Sequence, residues 1–292
     1  IFQHPDILNP PLYPTILAGV FRLAKPSIFQ SNLGDPVEVR QPYRPERWLI
    51  LPVSQLCLFG VLLLVYFWTR QLFDQRVAVT VGLLLLFSDT LWSYAISGLP
   101  TMLLMLLVLA ATYCLYRADR RLNDGAASPG SAPGVSALLI ASAVLMGLSA
   151  LTRYSSLFLA VPLVVYVVRV MRGRRPVVWG CAYAAIVLAV VLPWWLRNEH
   201  VSHSVLGIAR YQLIENDSLL RNYAVDLKAS WSLRSSVSRT LTQLRSAWGD
   251  GFRNLSSDLS LFFFVVGLLY GFRRQDTSRL RNVVVAALLA GI

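Results

Sequence analysis

Arg153 stands where an apolar run ends, in the stretch Leu-Thr-Arg-Tyr-Ser-Ser at residues 151–156. A guanidinium is planar and permanently charged, and it grips phosphate through paired charge-assisted hydrogen bonds. At this place it is either an anion clamp or a cation that snorkels to a membrane interface. Arg197 offers the same choice directly after Leu192-Pro193-Trp194-Trp195-Leu196, where the two tryptophans read as interfacial anchors. Asp89 lies inside an apolar run near its end, between Ser88 and Thr90. A carboxylate at membrane depth is costly, so it is either functional or satisfied by such neighbours. Near the start, Pro10-Pro11-Leu12-Tyr13-Pro14 breaks the chain ahead of the apolar residues 15–24, with His4 and Asp6 in the preceding turn. Glu199, His200 and His203 have neither the order nor the spacing of the H-E-x-x-H zinc motif, so no metal site is read there. Walker A, dinucleotide and nucleophile-elbow patterns are absent from the sequence.

The elements that must position these residues follow from the apolar runs. Hydrophobic residues are 55% and charged residues 14% of the 292 positions, with a mean hydropathy of +0.55, whereas soluble domains carry about a quarter charged residues. Apolar segments at 49–69, 77–95, 101–116, 137–151, 157–171, 177–196 and 259–272 approach or exceed the roughly 18 residues that cross about 30 Å of hydrocarbon. A helix satisfies its own backbone in lipid. The expected fold is therefore all-α, a polytopic transmembrane bundle of about seven complete spans plus one truncated span. Residues 15–24 are too short to cross and are expected to form a helix on the outer face. Residues 233–252 predict an amphipathic helix, because Leu233, Val237, Leu241, Leu244, Trp248 and Phe252 recur at helical spacing; it lies either on the membrane surface or packed on the bundle.

Alternating the connections sorts the charges. One side receives Arg70, Arg76, Arg117, Arg120, Arg121, Arg172, Arg174, Arg175, Arg273, Arg274, Arg279 and Arg281; the short loops opposite carry only Arg153. By the positive-inside rule the first side is cytoplasmic, and the long segments 1–48 and 197–258 are outer. This gives an outer segment 1–48 and a transmembrane bundle 49–292 that includes the outer segment 197–258. The net charge of +12 thus reads as topology and attraction to anionic headgroups rather than nucleic-acid binding. Cys57, Cys114 and Cys181 lie in apolar segments without metal-ligand spacing. The chain starts at Ile1 without an initiator Met or signal peptide and finishes in a short apolar run, so both ends read as cut.

The order PPLYP, then YFWTRQLFDQRVA, then GLSALTRYSS, then LPWWLRN resembles the GT-C membrane glycosyltransferases, more narrowly the branch of protein O-mannosyltransferases and lipid A aminoarabinose transferases. The resemblance implies an outer-face transferase in a bacterial inner membrane, with a polyprenyl- or dolichyl-phosphate sugar as donor and a protein, lipid or glycan as acceptor. It implies no tightly bound cofactor and leaves a divalent metal open. It puts Arg153 and Arg197 at the donor phosphate. It makes Asn9, Pro10, Pro11, Tyr13, Asp89, Tyr154 and Asn198 the cavity lining. The catalytic aspartate is expected upstream of Ile1, with Asp6 as a weak substitute. Two positions depart from the family pattern: Asn9 where relatives often carry a basic residue, and Leu99 where an acidic one is common. A non-catalytic scaffold and a lipid or solute transporter are the competing classes, although a transporter predicts internal repeats and midplane polar breaks that the sequence lacks.

Overall fold

The computed structural model describes residues 9–24, 46–123, 132–172, 175–202, 205, 277–279, 281–282 and 284–285. Asp6, the expected amphipathic helix at 233–252 and the expected span at 259–272 lie outside them. Among the described residues every regular element is helical, in keeping with an all-α membrane bundle. In order these are α1 (Leu12–Ala24), a π-helical turn (Glu46–Ile50) running into α2 (Leu51–Leu72), α3 (Gln75–Leu86), α4 (Asp89–Ile96), α5 (Thr101–Asn123), α6 (Ala132–Ala150), a 3₁₀ turn (Tyr154–Leu159) leading into α7 (Ala160–Val170), and α8 (Pro176–Ser202).

Among the described residues three helices are long and apolar enough to cross a membrane: Trp48–Leu72, Thr101–Asn123 and Pro176–Val201. A bent pair makes a fourth if read as one span. The expectation of seven complete spans is therefore not reached among the described residues, because Gly134–Ala150 and Tyr154–Val170 are shorter apolar helices. Less than a third of each crossing window is buried within the chain. On α2 the outward residues Leu56, Phe59, Leu63 and Phe67 form an apolar stripe, while Ser54, Leu58, Val61 and Trp68 turn inward. Apolar surface on this scale is at home in lipid and not in water.

The chain divides into two compact units, with the boundary inside α5. In the unit Pro11–Tyr113, Leu58 of α2, Ala95 of α4 and Met102 of α5 form a buried cluster flanked by Leu91, Trp92 and Met105. Asp74 caps α3 by accepting a 2.8 Å hydrogen bond from the Val77 amide, which satisfies one of the donors that a helix start leaves open. The expected single span at 77–95 is instead broken. α3 and α4 meet at 54°, and the indole Nε1 of Trp92 donates at 2.6 Å to the Leu86 carbonyl freed at the break. That bond meets the requirement that backbone groups at membrane depth find partners.

The second unit comprises Ile1–Pro10 and Cys114–Ile292. Here α8 turns Tyr183, Val187 and Val191 inward at four-residue steps, and Tyr183 meets Ser142 of α6 at 3.0 Å between hydroxyls. The stretch from Arg117, whose Gly-, Ser- and Pro-rich continuation to residue 134 reads as a polar loop, instead continues α5 as far as Asn123. Asp119 is fully buried there and takes hydrogen bonds from Tyr166 of α7 (3.0 Å), Asn123 (3.0 Å) and Arg279 (2.8 Å). These partners hold the helix end in place of water.

Gly147 of α6 packs directly against α8. A Cβ there would stand 2.7 Å from the Val190 Cβ and 3.2 Å from the Val187 carbonyl oxygen, so the position accepts no side chain without separating the helices. Gly147→Leu is expected to cost about 1–3 kcal/mol, the scale of overpacking, read as a lower melting temperature in detergent. Gly19→Ala, whose Cβ would meet nothing within 4 Å, is expected to leave stability unchanged or raise it by about 0.5–1 kcal/mol.

Candidate functional site

Two of the sequence patches that were expected to carry chemistry meet in the second unit. α6 ends at Ala150, and the chain turns through Leu151–Arg153 with Arg153 extended (φ −154°, ψ 122°) ahead of the 3₁₀ turn. The turn is held from inside. The Arg153 amide donates to the Ser149 carbonyl at 2.9 Å. The Arg153 carbonyl accepts from both the amide (3.0 Å) and the hydroxyl (2.9 Å) of Ser156. Ser149 and Ser156, both buried, stand 3.2 Å apart at their hydroxyls. The backbone of Arg153 is thereby fixed while its side chain is exposed and makes no hydrogen bond or ion pair with the described residues.

The opposite wall is the last two turns of α8. Its inward stripe continues from Val191 through Trp194 to Asn198, which is fully buried. The Tyr154 hydroxyl accepts hydrogen bonds from Trp194 Nε1 (2.7 Å) and Asn198 Nδ2 (3.1 Å). Two accepted bonds use the acceptor capacity of the phenol oxygen and leave its own O–H to donate. Asn198 also donates to the Val205 carbonyl at 3.3 Å and accepts from Arg197 Nη1 at 3.3 Å. The Arg197 guanidinium carbon lies 4.3 Å above the Trp194 ring, a cation–π contact worth about 0.5–2 kcal/mol.

The two arginines singled out from sequence therefore differ. Arg197 is engaged with Trp194 and Asn198, so ligand binding there competes with existing contacts. Arg153 has an anchored backbone and a guanidinium uncommitted among the described residues, the better arrangement for receiving an anion. Trp194, which its place in the sequence marks as an interfacial anchor, is also the donor whose indole ties α8 to the 3₁₀ turn. The i, i+4 step from Trp194 to Asn198 was the available signal, and it needed Tyr154 as a partner to be recognised. Beside it, Trp195 Nε1 is buried without a hydrogen-bond partner among the described residues.

The remaining candidates belong elsewhere or are described separately. In the unit Pro11–Tyr113, the buried Tyr13 hydroxyl donates to the Gly98 carbonyl at 2.9 Å. This leaves Ser54, 3.2 Å away, as the donor to Tyr13. The PPLY segment is thus fastened to the SGLP turn, where Gly98 has a φ of +71° that other residues rarely adopt. Pro11 accepts two bonds from Thr15, through its amide (2.9 Å) and its hydroxyl (2.7 Å), at the start of α1. Asp89 is not inside a continuous span. It is exposed in the first turn of α4, at the break after α3, where a carboxylate complements the helix dipole. Leu99 is likewise exposed, beyond Gly98. Asn9 is exposed and Pro10 half-buried, both in the second unit. Among the described residues no group of three or more His, Cys, Asp or Glu side chains stands together as metal ligands.

Long lipid-facing helices and a polar network where two of them end define an all-α integral membrane protein. Residues 44–196, just over half of the chain, match the dolichyl-phosphate-mannose-protein mannosyltransferase family. The chain belongs to that family and is a glycosyltransferase of the GT-C type. The matched region includes Arg153, Tyr154 and Trp194 and ends one residue before Arg197. No curated protein and no solved structure matches the chain.

Tyr154→Phe removes the acceptor shared by Trp194 and Asn198 and leaves a fully buried amide short of a partner. An unmet polar group of this kind costs about 1–3 kcal/mol. The variant is expected to melt correspondingly earlier in detergent, with protease cleavage appearing first in the segment around Arg197.

Proposed function

We propose that this chain transfers a sugar from a polyprenyl- or dolichyl-phosphate donor to an acceptor hydroxyl at the outer face of a bacterial plasma membrane. The acceptor is a protein, lipid or glycan. The observation that carries the reading is the state of Arg153: anchored through its backbone, exposed, and uncommitted at its guanidinium among the described residues. Transfer moves the anomeric carbon from a phosphate oxygen to the acceptor oxygen. The bonding electrons stay on the phosphate, where negative charge grows as the bond breaks. A pre-positioned guanidinium stabilises that charge more in the transition state than in the ground state, which is the condition for lowering the barrier. The free O–H of Tyr154 supplies a second donor beside it, and Arg197, once drawn from Asn198, a third contact.

A carboxylate acting as general base takes the acceptor proton. The resemblance assigns that role to an aspartate on the N-terminal side of PPLY. In the proposed arrangement residues 1–48 form the outer segment and 49–292 the transmembrane bundle. Asn9, Pro10 and Asn198, all in the second unit, contribute to the cavity, and the arginine-rich helix ends face inward.

Arg153→Ala in the full-length protein is expected to lower transfer by two orders of magnitude or more, the scale of losing a charge-stabilising donor, with membrane insertion and melting temperature unchanged. Arg153→Lys keeps the charge without the fork and is expected to fall between the two. Unimpaired transfer by Arg153→Ala would remove this residue from the site and favour a non-catalytic scaffold for this segment.

A further inference from the structure

A second polar place lies at the other end of α7 from Arg153. A crevice of about 690 Å³ opens there between the last turns of α5 and α7 and the first residue of α8, lined by Asn123, Arg169, Arg172 and Arg279 together with Val168 and Pro176. Arg169 sits in the last turn of α7 and Arg172 just beyond its end; both are exposed and both line the crevice. Arg279 is held differently: Nη1 pairs with buried Asp119 at 2.8 Å and Nη2 donates to Asn123 Oδ1 at 3.3 Å. Among the described residues the lining holds no carboxylate, and the buried carboxylate behind it, Asp119, is already matched by Arg279. The C-terminal dipoles of α5 and α7 add partial negative charge of about half a unit each, which the guanidiniums of Arg169 and Arg172 exceed. The crevice is net positive, and its valine and proline walls are apolar.

We propose that this crevice binds the phosphate of an anionic phospholipid, with Arg169 and Arg172 as the phosphate ligands, Asn123 as a polar contact, and Val168 and Pro176 against the glycerol and upper acyl chain. The combination favours a lipid over free phosphate, because an inorganic anion gains nothing from the apolar walls. Basic pockets between helix ends are a recurrent way of holding such headgroups. The arginines marked from sequence as topology signals thereby acquire a ligand. The site is separate from the proposed sugar transfer, since it uses neither Arg153 nor the Tyr154 network.

The test is retention of phosphatidylglycerol by the full-length protein in neutral detergent, counted by native mass spectrometry against phosphatidylcholine. The wild type is expected to prefer phosphatidylglycerol. The double variant R169Q/R172Q should lose affinity for it on the order of tenfold or more. Because both side chains are exposed and bear no packing load, the variant should keep its helicity and melting temperature; R172Q alone, with a smaller loss, serves as the milder check. Excess inorganic phosphate should not displace the lipid. Equal retention of the two lipids, unchanged retention by the double variant, or displacement by inorganic phosphate would each overturn the proposal.

Discussion

The hydroxyl of Tyr154 is the point on which the working end of the second unit depends. Asn198 is completely buried on α8, and an amide in that position must be paired, since lipid and packed helix offer no water as a substitute. Tyr154 supplies the partner, and the same oxygen receives the indole of Trp194. These two bonds join the end of α8 to the turn that follows α6. The buried Ser149 and Ser156 then fix the backbone of the neighbouring residue. Arg153 is the outcome: a charged side chain presented to the exterior on a rigid base. Arg197, one turn above Trp194, is drawn into the network and steadies it instead.

Polar groups elsewhere obey the same rule with different partners. At the break between α3 and α4 the indole of Trp92 serves the carbonyl of Leu86. At the end of α5, Asp119 is surrounded by a tyrosine, an asparagine and an arginine from three parts of the chain. Removing one partner of such a buried pair costs more than the pair contributes on balance. The Asp119–Arg279 contact is therefore better understood as fixing the geometry of that helix end than as a source of net stability. Between these polar ends the helices pack by close approach at small residues, Gly147 and Gly180 among them.

The class of the molecule was legible in the residues. Apolar runs of crossing length, arginines gathered at alternate ends, and the order of four short motifs are all local or additive features. They predict a helical membrane protein and resemble the family that residues 44–196 match. Helix continuity was less legible. The run at 77–95 has no residue that announces a break, since Ser88 and Asp89 suit a helix start only once α3 has stopped. The stretch from 117 onward reads as a loop because Gly, Ser and Pro follow it. Its first turns are helical, and the partners of Asp119 at positions 166 and 279 lie outside any local window.

The sequence by itself determined composition, span-forming capacity, the asymmetry of positive charge and the presence of guanidiniums beside apolar runs, because each is a property of neighbouring residues. Tertiary structure alone decided which guanidinium is committed. Arg153 and Arg197 have similar surroundings in the linear chain, and both follow apolar runs near aromatic residues. Folding brings Trp194 and Asn198 against Tyr154, which occupies Arg197 with the ring and amide of its own helix and leaves Arg153 without a side-chain partner among the described residues. That difference arises from contacts some forty residues apart, a separation over which side-chain pairing has no local signature.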